Sequence, residues 1–191
     1  MDRIFAGIGL IILSPIFIGI GLLIKMEDGW RAPVFFSQKR VGLNKKHFML
    51  YKFRSMKLDA PHNVPTHLLT NSEQYITKVG KFIRKTSLDE LPQLWNIFIG
   101  DMSAIGPRPA LWNQYDLIEE RDKYGVYSLK PGLTGWAQIN GRDELEIEEK
   151  AALDGYYLRN IGLRIDIRCF IKTILSVIKS EGVLEGGIGT R

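Results

Sequence analysis

The sequence predicts a mainly α-helical fold with short β-hairpin elements, an α+β domain that carries a broken re-entrant membrane helix and interfacial amphipathic helices. Three observations predict it. Residues 4 to 24 form 21 consecutive positions without a charge, interrupted near the middle by Ser14-Pro15. Residues 72 to 84 and 166 to 179 repeat apolar side chains at helical spacing. Two runs rich in aromatic and branched residues flank the turn-prone Gly42-Leu43-Asn44-Lys45-Lys46, the pattern of a hairpin.

The apolar run comes first. As one straight helix it would cross the roughly 30 Å hydrocarbon core of a bilayer. Proline has no amide hydrogen, and its ring collides with the preceding turn, so the helix must bend or break at Ser14-Pro15. A signal peptide fits poorly, because Asp2 spoils the basic start and no small-residue cleavage site precedes Lys25. A buried core helix would be shorter and would show a polar face. A plain spanning anchor is the serious rival, but Arg3 and Lys25 place a positive charge at each end, so the positive-inside bias sends neither across. Residues 1–25 therefore read as a helix-break-helix with both ends on the cytoplasmic side.

About 170 residues remain, room for one compact domain over 26–185, with a glycine-rich tail at 186–191. The formal net charge of +5 points to an anionic partner: a lipid surface, a nucleotide or a nucleic acid. A single cysteine, Cys169, excludes an internal disulfide framework and fits a reducing compartment. His47, His62 and His67 form no zinc pattern with it and read as surface or loop residues.

Along the domain, Val34-Phe35-Phe36 and Phe48 to Phe53 read as the hairpin strands. Pro61, Pro65 and their polar neighbours make 59–72 a loop, disordered or a moving lid. From Ser72 to Arg84, Tyr75, Ile76, Val79, Phe82 and Ile83 share one face of a basic amphipathic helix, suited either to an anionic membrane or to ordinary packing on the core. A second helix is expected from Ser87, carrying Leu88, Leu91, Leu94, Trp95 and Phe98 inward until Gly100 stops it. Two turn-rich segments come next, Ile105 to Pro109 and Lys130 to Trp136, separated by a charged helix from about Leu111 to Lys123. A helix near Glu144 to Tyr157 leads to the last, Asp166 to Lys179, whose Ile167, Phe170, Ile171, Ile174, Leu175 and Ile178 form an apolar stripe.

Chemistry-bearing residues concentrate in the middle of the chain. Asp89 and Glu90 follow the basic run Lys81, Arg84 and Lys85, and adjacent carboxylates among cations can stay ionised and share a divalent metal. The plainer reading is a capping box, with Ser87 as N-cap and Glu90 at the third helical position; a cap and a reacting carboxylate can coexist. Arg84, Arg108 and Arg142 each stand near a proline, a glycine or a helix end, where a guanidinium can be aimed at phosphate oxygens. Pro107-Arg108-Pro109 is the strongest of these, because its prolines stiffen the loop. Trp136 could stack on a base, sit among lipid headgroups or join the core. Walker, Rossmann and Asp-x-Asp patterns are absent from the sequence.

Thr86-Ser87-Leu88-Asp89-Glu90-Leu91-Pro92-Gln93-Leu94-Trp95-Asn96, Gly100-Asp101-Met102-Ser103 with Gly106-Pro107-Arg108-Pro109, and Lys130 through Arg142 closely resemble the bacterial sugar transferases, the monotopic phosphoglycosyl transferases. Tyr51-Lys52-Phe53-Arg54-Ser55-Met56 and the Ser14-Pro15 break match as well. The resemblance covers nearly the whole chain. It implies transfer of a sugar phosphate from a UDP-sugar to a polyprenyl phosphate, undecaprenyl phosphate, with release of UMP, at the start of surface-glycan or glycoprotein-glycan assembly. By the same resemblance Asp89 is the nucleophile of a two-step scheme through an aspartyl phosphosugar. Mg2+ assists by neutralising the diphosphate, with Asp89 and Glu90 as its implied ligands, and Glu90 helps bind the metal or manages the acceptor proton. Arg84, Arg108, Arg142, Asp154, Asp166, Lys52 and Arg54 are implied in substrate binding, with Pro107-Arg108-Pro109 seating the uridine diphosphate.

The implied location is the cytoplasmic face of a bacterial inner membrane, with membrane lipid as a partner and no nucleic acid. A homo-oligomer and downstream glycosyltransferases are open as further partners. The family usually has Lys-Arg ahead of the aspartate matching Asp2, whereas this chain starts Met1-Asp2-Arg3, and it reads as the minimal catalytic form. The rival reading is a non-catalytic, membrane-docked module that organises a glycan assembly complex and has no need of Asp89.

Overall fold

The computed structural model describes residues 1–61, 72–141 and 144–179. Most of the 59–72 loop, His62, His67, Arg142 and the 186–191 tail lie outside the described residues. Seven α-helices and two small two-stranded sheets make up the described fold. Helix α1 (Asp2–Ile12) and helix α2 (Ser14–Asp28) meet at Leu13 with a bend of 60°. The bend falls where the sequence predicts it: Pro15 occupies the first turn of α2, where its missing N–H costs nothing, and Ser14 Oγ donates to Ile11 O at 2.7 Å. Among the described residues no single helix is long and apolar enough to cross a membrane; the bent pair together is.

Strands β1 (Phe35–Val41) and β2 (His47–Phe53) form the predicted hairpin in antiparallel register, Phe35 opposite Phe53 and Val41 opposite His47. Two apolar clusters tie the N-terminal helices to the rest of the chain. Ala6 of α1 packs with Leu50, Ile97 and Met102, and Ile20 and Ile24 of α2 pack with Phe53 and Ile83. Phe53 is fully buried, with Phe17 and Phe35 rings 5.1 and 5.3 Å away. Offset and tilted aromatic pairs at that spacing add to the area they bury.

Two predicted helices open differently, each with a 3₁₀ turn. The helix expected from Ser72 is a 3₁₀ turn (Ser72–Tyr75) followed by α3 (Lys78–Lys85), because Met56 and Ile76 pair as an isolated bridge and hold the intervening backbone extended. Of its predicted inner face, Ile83 is buried but Phe82 is exposed. The helix expected from Ser87 opens as a 3₁₀ turn (Leu88–Glu90), and α4 spans Gln93–Ile99. Pro92 cannot donate to Leu88, so the bonding there runs three residues back, Leu91 N to Leu88 O at 3.2 Å. Trp95 and Phe98, expected inside, are exposed and tilt against each other; α4 buries Gln93, Asn96 and Ile97 instead. Gly100 ends α4 as predicted, at φ 99° in the left-handed region.

A parallel pair adjoins the two turn-rich segments: β3 (Ser103–Ile105) runs into the first at Ile105, and β4 (Gly132–Thr134) lies within the second. Helix α5 (Tyr115–Asp122), helix α6 (Ile147–Arg159) and helix α7 (Leu163–Lys179) complete the fold. Along α7 Ile165 and Cys169 are buried, whereas Ile167, Phe170, Ile171, Ile174 and Leu175 of the predicted stripe stay exposed. Trp136 is half-buried rather than a core residue and stacks on Tyr156 with ring centres 5.5 Å apart.

Candidate active site

The site begins with a reversal of the chain after α3. Ser87 adopts φ 55°, a left-handed conformation that a residue with a Cβ enters at a cost, and its amide donates back to Arg84 O at 3.0 Å. The next turn presents Asp89 and Glu90. Ser87 makes no side-chain cap here, which corrects the capping-box reading: in the left-handed conformation its hydroxyl does not reach the amides ahead, and the Glu90 carboxylate is engaged elsewhere.

Glu90 is held from two elements. Lys52 Nζ of β2 donates to Oε1 at 2.7 Å, and Arg108 straddles the carboxylate, Nη2 to Oε1 at 2.6 Å and Nη1 to Oε2 at 3.4 Å. Burial alone would raise the Glu90 pKa, but the Arg108 and Lys52 charges and hydrogen bonds outweigh it and hold the carboxyl well below the usual range. Asp89 has the opposite character. It is 7% exposed, its nearest cation is Lys52 at 3.9 Å, and its side chain makes no hydrogen bond among the described residues. Burial raises its pKa against the pull of Lys52, the neighbouring Glu90 charge pushes it further up, and Arg84 and Arg108 oppose. Glu90 is paired at hydrogen-bond distance by two cations; Asp89, comparably buried, keeps only the longer contact to Lys52.

Both supporting elements are fixed. Asn96 of α4, fully buried, lies along the free edge of β2, where its Oδ1 accepts from Tyr51 N at 3.0 Å and its Nδ2 donates to Met49 O at 2.7 Å, setting the strand that carries Lys52. Arg108 leaves a loop pressed onto the β3–β4 pair. Gly106 N donates to Thr134 O at 2.8 Å, and the backbones approach so closely that a Cβ at Gly135 would stand 2.0 Å from Gly106 O.

The predicted site residues separate into one cluster and three residues placed elsewhere. Asp89, Glu90, Lys52, Arg108 and Arg84 come together, Arg84 close enough to act on the Asp89 charge. Arg54 is 5% exposed and bonds Asp28 at the end of α2 at 3.0 Å. Asp154 is fully buried against Arg121, Nε at 2.8 Å and Nη2 at 2.6 Å from Oδ2, and touches neither Asp89 nor Glu90. Asp166 accepts from Tyr157 Oη at 2.8 Å and lines a cavity of ≈ 360 Å³ with Asp2, Ser103 and Lys130, one whose lining includes neither carboxylate of the pair.

Sequence reading missed Arg121 and Asn96. Arg121 lies four residues after Leu117, on the same buried face of α5, and that spacing is the signal available in the sequence. Among the described residues no three His, Cys, Asp or Glu side chains gather as a metal cage. The adjacent Asp89 and Glu90 oxygens fit a hard cation that takes its remaining ligands from phosphate and water, as Mg2+ does.

The bacterial sugar transferase family matches residues 1–180. The chain is 44% identical to the sugar transferase EpsL of Bacillus subtilis (strain 168) over 156 residues, 81% of this chain and 74% of that protein. It is 37% identical over 184 residues to the UDP-glucose:undecaprenyl-phosphate glucose-1-phosphate transferase of Xanthomonas campestris pv. campestris, 93% of this chain and 38% of that protein. With the UDP-N-acetylgalactosamine-undecaprenyl-phosphate N-acetylgalactosaminephosphotransferase of Aeromonas hydrophila it shares 35% identity over 187 residues, 95% of this chain and 44% of that protein. It thus spans less than half the length of the latter two and most of the length of the first. A match over residues 1–180, with the motif residues gathered around one buried carboxylate pair, makes this chain a member of the bacterial sugar transferase family.

Proposed function

We propose that the chain transfers a phosphosugar from a UDP-sugar to polyprenyl phosphate, releasing UMP, at the cytoplasmic face of a bacterial inner membrane. The observation that carries this reading is the division of labour at the pair: Glu90 neutralised by Lys52 and Arg108, Asp89 buried beside it without a hydrogen bond among the described residues. A largely buried carboxylate whose nearest cationic partner stands at 3.9 Å is a better nucleophile than a solvated one, and the surrounding cations suit a diphosphate. Similarity to named UDP-sugar:undecaprenyl-phosphate transferases supports the same reaction.

In the first step an Asp89 oxygen attacks the phosphorus bearing the sugar. A new P–O bond forms to Asp89, the bond to the bridging oxygen breaks, and UMP departs with that oxygen and its electron pair. In the second step a phosphate oxygen of the polyprenyl carrier attacks the same phosphorus, and the aspartyl P–O bond breaks, restoring the carboxylate. Mg2+ at Asp89 and Glu90 would supply charge neutralisation on the diphosphate. Lys52 and Arg108 hold Glu90 in one orientation, and Arg84 adds positive charge beside Asp89.

Placement of the site at a bilayer is part of the proposal. Both ends of the α1–α2 pair bond to one folded domain, Asp2 to Ser103 and Ala104 at the start and Glu27 and Asp28 to α3 and Arg54 at the finish, an arrangement that favours a re-entrant pair over a span. Incubation with a panel of UDP-sugars, without acceptor, should yield UMP and a phosphosugar adduct on the Asp89 peptide, read by mass spectrometry. An adduct that still forms in Asp89→Asn would sink the aspartyl mechanism.

A further inference from the structure

The Pro107-Arg108-Pro109 loop has every carbonyl occupied, each by a donor from a different element. Gly132 N donates to Pro107 O at 2.9 Å, Arg121 Nη1 to Arg108 O at 2.8 Å, and Arg40 Nη1 to Pro109 O at 3.0 Å. The middle donor is the unusual one. Arg121 is 2% exposed and bonded through its other two nitrogens to Asp154, itself fully buried.

A buried ion pair seldom stabilises a fold better than apolar residues of equal volume, because desolvation offsets the attraction. Stability therefore gives little reason for this one, but its geometry does. All three arms of the planar guanidinium are committed, two to a carboxylate on α6 and the third to the peptide that carries the Arg108 side chain. With prolines restricting φ on either side and the carbonyl pinned between them, that side chain can leave the loop in few directions. One of them reaches Glu90 with both Nη atoms.

We propose that Arg121, aligned by Asp154, is a positioning residue that fixes the reach of Arg108 to Glu90 and so governs how fully Glu90 is neutralised beside Asp89. Asp154 then serves the site from behind the loop rather than from within it. The inference rests on the reading of Asp89 and Glu90 as the reacting pair.

A double-mutant cycle tests it on the full chain in detergent or nanodiscs. Lysine keeps the charge of Arg121 but not the planar fork, so Arg121→Lys should lower the rate of UMP release about tenfold, the worth of one charged hydrogen bond, and Arg108→Ala about a hundredfold. In the Arg108→Ala background Arg121→Lys should cost nothing further, because its route to the site is already gone. Multiplying losses, about a thousandfold together, would overturn the proposal. Should Arg121→Lys not fold, Asp154→Asn enters the same cycle with the same expectation.

Amide exchange provides an arm independent of turnover. In Arg121→Lys, exchange should quicken at Gly132 and Val41, whose amides donate to Pro107 O and Ala110 O, while Tyr51, held by Asn96, stays protected. Equal acceleration at all three would mean a merely stabilising role, and no acceleration at the first two would mean no hold on the loop. A wild type that releases no UMP with any UDP-sugar defeats the reaction reading, yet leaves the exchange result to decide whether Arg121 sets the loop.

Discussion

The N-terminal helix pair and the Asp89–Glu90 cluster are built as opposites. Along α1 and α2 apolar side chains face outward, Ile11 76% and Ile12 69% exposed, and polar contacts to the domain are confined to the two ends. In the cluster, charges turn inward and are answered at short range by Lys52 and Arg108. Water is a poor solvent for the first arrangement and an unnecessary one for the second. The contrast teaches that one chain keeps two kinds of surface, an apolar one turned outward along the helix pair and a buried polar one at the carboxylates, with the seam between them made by Phe53, Ile83, Ile20 and Ile24.

The sharpest way to break the comparison is all-or-none. Single cysteines at Ile4 and Met26 should both react with an impermeant maleimide only from the cytoplasmic side; labelling from opposite sides would make α1–α2 a span. The native thiol does not interfere, since Cys169 is buried and its pKa is pushed up to about 11 by that burial, with Asp166 adding to it.

Next in size is the seam. Phe53→Ala should cost about 3–5 kcal/mol in detergent-solubilised protein, measured by chemical denaturation, because it removes the ring that α2, β1 and α3 share. A loss below about 1 kcal/mol would mean that the helix pair is not packed on the domain.

The two carboxylates should respond in opposite directions. Asp89 has a raised pKa, so the fold favours its protonated form, and the stability this gives is lost as pH rises through the raised value. Asp89→Asn should therefore raise the melting temperature by about 2–4 °C at pH 7, an advantage that fades below the ordinary carboxylate range. Turnover should show an acid limb above that range. Glu90 has a depressed pKa; its contribution is present above the ordinary glutamate value and is lost as pH falls through the depressed one. Glu90→Gln should lower the melting temperature at pH 7, and shifts of the same sign for both variants would remove the distinction between the carboxylates.

The smallest effect belongs to a tether. Glu27 at the end of α2 accepts from Lys78 N at 2.7 Å and Val79 N at 2.8 Å, and Thr77 Oγ1 accepts from Gly80 N at 2.9 Å, so the first amides of α3 are satisfied by a side chain from another helix and by its own cap. Glu27→Ala should cost about 1 kcal/mol and loosen α3 in amide exchange; an unchanged α3 would leave Asp28 and Arg54 as the working tether.

Much of the fold was legible where one local rule acts without competition. Ser14-Pro15 had to bend a helix, Gly100 had to end one, and the Gly42–Lys46 turn had to join two strands. Legibility failed where distant backbone overrode the local rule. Ser87 to Glu90 has the spacing of a capping box, but Arg108 and Lys52 claim the Glu90 carboxylate, and both lie far from it in sequence. Trp95 and Phe98 look like core, yet α4 turns Asn96 inward because the edge of β2 needs a donor and an acceptor there.

The sequence by itself determined the broken apolar pair and the hairpin, because those features rest on composition and local pattern; the resemblance grouped Asp89, Glu90, Lys52, Arg84 and Arg108 with Arg54, Asp154 and Asp166 and could not separate them. Only the tertiary structure decided that Glu90 is neutralised at close range while Asp89 has Lys52 no nearer than 3.9 Å, that Asp154 stands behind the loop with Arg121, and that Asp166 lines a cavity away from the pair. Those outcomes depend on which hydrogen-bonding groups meet at about 3 Å after the chain has closed, and no local pattern encodes that meeting.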